Sequence, residues 1–144
     1  MNLNIETGLQ EFDLNGKVKV YYNPADVNFV RKLYEAFGTL EKQQKKYEEE
    51  VKAVPEEDPD AVFEFADKKD REMREIVDGF FDTEVCGPLF GGMSVYASNA
   101  QGIPLWMALF LAVLDSCEET VEKVGKSGSE TVDKYMKKYQ KYHR

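Results

Sequence analysis

Residues 103–114 read Ile-Pro-Leu-Trp-Met-Ala-Leu-Phe-Leu-Ala-Val-Leu, and acidic side chains return only at Asp115, Glu118, Glu119 and Glu122. A helix that is apolar on every side must be enclosed by protein or lipid, and roughly 18 to 20 apolar residues are needed to span a bilayer. Only 12 stand in this run, so the stretch reads as the start of a central core helix over 103–124 rather than a membrane anchor. Pro104 suits its first turn, where the missing N–H would have had no intrahelical partner. The rest of the chain has to supply the cover for this helix.

Two amphipathic segments precede it. In residues 24–54, Val30, Leu33, Phe37, Leu40, Tyr47, Val51 and Val54 recur at alternating steps of three and four, interrupted only by Gln44. This is the seam of a helix that pairs with another helix, and at 1.5 Å per residue it runs about 45 Å. Asn23-Pro24-Ala25-Asp26 supplies the start signals, with Asn23 as cap and Pro24 at the first helical position. Pro55 and Pro59 bracket a charged connector, after which Asp58 or Asp60 caps a helix over 60–82. Val62, Phe65, Ala66, Met73, Ile76, Val77 and Phe80 mark its seam, with Lys69 in a seam slot where its stem can lie against apolar neighbours. A short connector between such helices predicts a long antiparallel αα-hairpin, its first helix longer by about two turns.

Ahead of the helices, Phe12 and Leu14 lead into Asn15-Gly16, and Val18, Val20 and Tyr22 alternate after it. Asn-Gly between alternating runs predicts a β-hairpin within residues 3–22, with Leu3 and Ile5 extending it as an edge strand. A lone hairpin is marginal in water, so its apolar face needs helices or another chain. Residues 85–102, broken by Gly87-Pro88 and Gly91-Gly92 and ending in Ser98-Asn-Ala-Gln-Gly102, read as irregular apart from a short helix within 84–90. The predicted class is mainly α with an N-terminal β-hairpin (α+β). One globular domain spans 1–125, followed by a basic peripheral tail at 126–144.

The formal charge is −8, from 19 basic and 27 acidic residues. Six basic against two acidic residues after position 125 give the tail +4 and leave −12 for the body. An acidic body repels nucleic acid. The opening Met-Asn-Leu-Asn-Ile-Glu has neither the basic nor the apolar region of a signal peptide, so a cytoplasmic protein is expected, with Cys86 and Cys117 as reduced, buried thiols.

Catalytic and metal chemistry find little support. The four acids from Asp115 to Glu122 lack the histidines of a di-iron bundle, since His143 near the C-terminus is the single histidine. Residues 56–60 lack the glycine and closing glutamate of a calcium loop. Gly87-Pro-Leu-Phe-Gly-Gly92 lacks the Lys-Ser/Thr of a phosphate loop. No enzyme, cofactor or metal is expected. Phe29 and Phe63 fall off the two seams, and Tyr47 and Val51 lie on the distal part of the longer helix. These four are the candidate partner-binding residues.

Tyr22-Asn-Pro-Ala-Asp-Val-Asn-Phe-Val30, Glu72-Met-Arg74, Val85-Cys86, Phe90-Gly-Gly-Met-Ser-Val-Tyr-Ala97 and Gly102-Ile-Pro-Leu-Trp106 carry a resemblance over residues 1–125. They resemble the tail assembly chaperones of long-tailed phages and prophages of Gram-positive bacteria. The resemblance implies a protein absent from the finished virion. Such a protein holds the helical tape measure protein soluble while the tail tube grows, and in some relatives a frameshifted extension recruits the tube protein. The competing expectation is a self-associating structural component of the particle.

Overall fold

In the computed structural model, residues 1–124 and Lys137 are described. Within residues 1–124, two antiparallel strands, β1 (Gln10–Leu14) and β2 (Val18–Tyr22), precede five α-helices: α1 (Val27–Glu50), α2 (Pro59–Phe81), α3 (Cys86–Phe90), α4 (Leu105–Ser116) and α5 (Glu118–Val124). The basic tail expected at 126–144 lies outside the described residues, Lys137 apart.

The hairpin register pairs Phe12 with Val20 and Leu14 with Val18, which puts both residues of each pair on the face turned to the core. Asn15 and Gly16 both hold positive φ, 56° and 70°, the mirror-image turn geometry that Asn-Gly accommodates at low cost. Leu3 and Ile5 do not extend it as an edge strand: β1 begins at Gln10, and both residues are exposed.

The helix starts differ from expectation by their caps. Asn23 spends its side chain on an Asx turn, accepting from the Ala25 N–H at 2.8 Å, so the cap passes to Asp26, whose carboxylate accepts from the Asn28 N–H at 2.9 Å. Asp58 caps α2 by accepting from Ala61 N–H, with Pro59 in the first helical position. The 24 residues of α1 and 23 of α2 give helices of about 36 and 35 Å. The expected two-turn excess of the first helix is therefore absent, because residues 51–53 tighten into a 3-10 turn before the prolines. Rings 5.7 Å apart at Phe29–Phe80 and 5.6 Å apart at Tyr47–Phe65 fix the two helices as an antiparallel pair.

α4 is the centre, as its composition requires. Trp106, Met107, Leu109, Phe110, Leu111, Val113 and Leu114 are all buried. Its first N–H groups, which no helix can satisfy internally, donate instead to the preceding loop, Leu105 to the Ala97 carbonyl and Trp106 to that of Val95. The single helix expected over 103–124 is broken at Cys117, where φ −103° and ψ 20° leave helical geometry. The break turns α5 onto the start of α1, where the Thr120 hydroxyl donates to the Pro24 carbonyl at 2.7 Å. None of the helices among the described residues is long and apolar enough to cross a membrane.

Polar side chains of α2 hold the loop that delivers the chain to α4. Asp78 accepts from the N–H groups of Val85 and Cys86, both at 2.9 Å, and Asp70 accepts from Val95 N–H at 2.8 Å. Arg74 ion-pairs with Asp70 and donates to the carbonyls of Gly91 and Met93 at 2.8 and 2.7 Å.

Candidate functional site

The buried seam of α1 ends at Leu40, and that of α2 begins only at Lys69. Beyond those positions the paired helices continue as a two-helix tip without buried apolar residues, its inner side still joined to the core through Gln44 and Tyr47. Its inner side is closed by aromatic stacking: Tyr47 lies between Phe65 at 5.6 Å and Tyr96 at 4.2 Å. Lys69 sits at the base, 5% exposed. It reaches across to the Glu50 carboxylate, lies 3.8 Å from Glu72 and stands 5.6 Å over the Phe65 ring. The ammonium is thus desolvated but compensated on three sides, which is what burial of a lysine requires.

That contact has a pH consequence. The hydrogen bond from Lys69 holds the Glu50 carboxyl below its ordinary range. A folded-state pKa below the unfolded one contributes stability above the ordinary carboxylate range, and the contribution is lost as pH falls through the lowered value. Lys69→Met keeps the stem and removes the charge, so the difference in melting temperature between the natural chain and this variant should shrink between pH 7 and pH 3. Melts at the two pH values check it; an unchanged difference contradicts the coupling.

The four candidate partner residues do not form one patch. Phe63 stands 69% exposed on the tip. It lies two residues, about 200° of helical turn, from the inward-facing Phe65. Tyr47 and Val51 are half-buried at the same end, Tyr47 within the aromatic stack. Phe29 lies 18 positions earlier on α1 than Tyr47, about 27 Å away along the axis. It also has an intrachain client after all, stacked on Tyr22 at 4.5 Å and tilted against Phe80 at 5.7 Å. It sits off the helix seam because its packing partner is the hairpin.

The chemistry available to the rest of the chain is limited by burial. Cys86 and Cys117 are free, buried thiols, both pushed up by desolvation, Cys86 also by the neighbouring Asp78, and a thiol held protonated is a poor nucleophile. Burial pushes the Tyr22 hydroxyl up to about 12, against the opposing effect of its hydrogen bond with Ser116 Oγ at 2.7 Å. Among the described residues no group of three His, Cys, Asp or Glu side chains is placed to hold a metal ion.

Two positions that the sequence marks only as irregularities prove to be connectors. Gln44, the break in the α1 seam, accepts the Trp106 indole N–H at 2.8 Å. Lys69, the charge in the α2 seam, clamps the end of α1 through Glu50. A polar residue in an otherwise apolar seam was the available signal for both. No family model, curated protein or solved structure matches this chain.

Proposed function

We propose that this chain is a tail assembly chaperone of a phage or prophage, working in the host cytoplasm. It binds helical segments of the tape measure protein and keeps them soluble, with the tail tube protein as a second partner. The work is binding alone, with no catalysis and no cofactor. The observation that carries this reading is Phe63, a large apolar ring left 69% exposed near the start of α2. A large apolar ring presented there, on the side of α2 turned away from the inward-facing Phe65, offers an amphipathic helix an anchor of the kind used in helix-in-groove recognition. Binding through apolar burial, at roughly 25 cal/mol per Å², survives moderate salt, unlike contacts between exposed charges.

Co-expression with the cognate tape measure protein is the test. The natural chain should raise the soluble fraction of that protein and co-purify with it in 0.5 M salt. Phe63→Asp should remove both effects with the melting temperature unchanged, since the residue is solvated. Equal insolubility with and without this chain, and no recoverable complex, would reject the reading. A second reading, a self-associating component of the particle, is favoured by a different feature, the exposed apolar arm at residues 1–9.

A further inference from the structure

Residues 1–9 precede β1 without joining the sheet. Met1, Leu3, Ile5 and Leu9 are exposed, at 117, 80, 76 and 61%. Leu3 and Ile5 alternate with Asn2, Asn4 and Glu6, so in extended form the arm has one apolar and one polar face. Its base is built in. Gly8 has φ +76° and approaches Asn23 so closely that a Cβ would stand 2.7 Å from Nδ2, and that same amide donates to the Thr7 carbonyl at 2.8 Å. Gly8 N–H donates to Glu6 Oε2 at 2.7 Å. The arm is therefore anchored where it leaves the hairpin, and among the described residues nothing covers its apolar face.

The matching vacancy is at the other end of the hairpin. α4 leaves one stripe partly open, Leu105, Ala108 and Ala112 about the buried Leu109, and it floors a half-open groove of about 480 Å³ walled by Leu14 and Phe90. The two alanines make the floor low, and none of the residues lining the groove comes from the arm.

The geometry points to the arm of one copy seating in the α4 groove of a second copy, each chain giving one arm and receiving one. Spacing supports it. Met1 to Ile5 spans about 13 Å at ~3.3 Å per residue, and Leu105 to Ala112 about 10 Å at 1.5 Å per residue. Alternate arm side chains fall ~6.6 Å apart against helix ridges one turn, ~5.4 Å, apart. Charge supports it too. A chain of net −8 repels its copies, yet residues 1–5 carry no charged side chain and can approach an acidic surface at little electrostatic cost. Because giver and receiver are different surfaces, the exchange is reciprocal in a two-fold dimer and head-to-tail in a ring or an open filament.

Sedimentation of the full chain should show a concentration-dependent oligomer. Leu3→Asp with Ile5→Asp should weaken association about a hundredfold or more, since each buried side chain of this size accounts for at least about tenfold, and should leave the melt of the monomer unchanged. Site assignment comes from disulfide exchange in a glutathione buffer. Ile5→Cys and Ala112→Cys chains, mixed, should give a dimer whose bridge maps to position 5 of one chain and position 112 of the other. A chain that stays monomeric overturns the inference, as does an oligomer indifferent to the arm variants. So does a bridge between positions 5 and 112 that forms only within single chains carrying both substitutions. An arm-dependent oligomer without the mixed bridge overturns the groove assignment, and a groove protected only by co-expressed tape measure protein assigns it to that partner. Phe63 belongs to neither arm nor groove, so the chaperone reading and the arm exchange fail by separate results.

Discussion

Trp106→Ala should lower the melting temperature by roughly 10–20 °C. The side chain is fully buried, makes an edge contact with Phe37 at 5.6 Å between centroids, and is joined through its N–H to Gln44. Truncation removes a large apolar surface and leaves a cavity, a combination that costs about 3–5 kcal/mol. Trp106→Phe retains most of the ring and strands the Gln44 carbonyl, so its cost should be smaller and should be largely relieved by adding Gln44→Leu. Denaturant melts of the four proteins measure both effects. A Trp106→Ala loss below about 1 kcal/mol, or native tryptophan emission quenched freely by iodide, would contradict the placement of α4 at the centre.

Arg74→Ala should cost about 2–3 kcal/mol, because it removes charge-assisted hydrogen bonds to two backbone carbonyls and leaves Asp70 without its ion pair. Partial exposure of the pair keeps the figure below that for a wholly buried one. Arg74→Lys should not restore it, since one ammonium cannot reproduce the planar fork that serves Asp70, Gly91 and Met93 together. Besides the shifted denaturation midpoint, limited proteolysis should begin to cut within residues 91–95 of the variant. Wild-type resistance there would show that Asp70, through its bond to Val95, suffices to hold the loop.

Periodicity made the helical pair, the hairpin turn and the central helix legible, because each rests on a local repeat or a turn that few dipeptides satisfy. Boundaries were less legible wherever two local devices competed. Asn23 read as the cap of α1, but its side chain is taken by the Ala25 N–H and the Thr7 carbonyl, and Asp26 caps instead. The break at Cys117 has no local sequence signal, since what turns the chain there is a bond from Thr120 to Pro24, 96 residues earlier. Phe29 misled for a related reason. A helix wheel counts one packing partner, whereas this residue packs on a strand as well. Arg74 and the α4 groove were invisible because each is defined by segments brought together only by the fold.

The stack of rings Phe12, Tyr22, Phe29, Phe80 and Phe110, with successive centroid distances of 4.2, 4.5, 5.7 and 5.2 Å, sets an order of events during synthesis. The hairpin closes through a local turn, but the surface that stabilises it is completed by a ring at position 110. At 5–20 residues per second the ribosome needs on the order of ten seconds to add the stretch between Tyr22 and Phe110. Throughout that interval the nascent chain carries a two-stranded ribbon that is marginal by itself. The first element made is therefore among the last to be secured, and in the growing polypeptide the apolar face of the hairpin is open to capture.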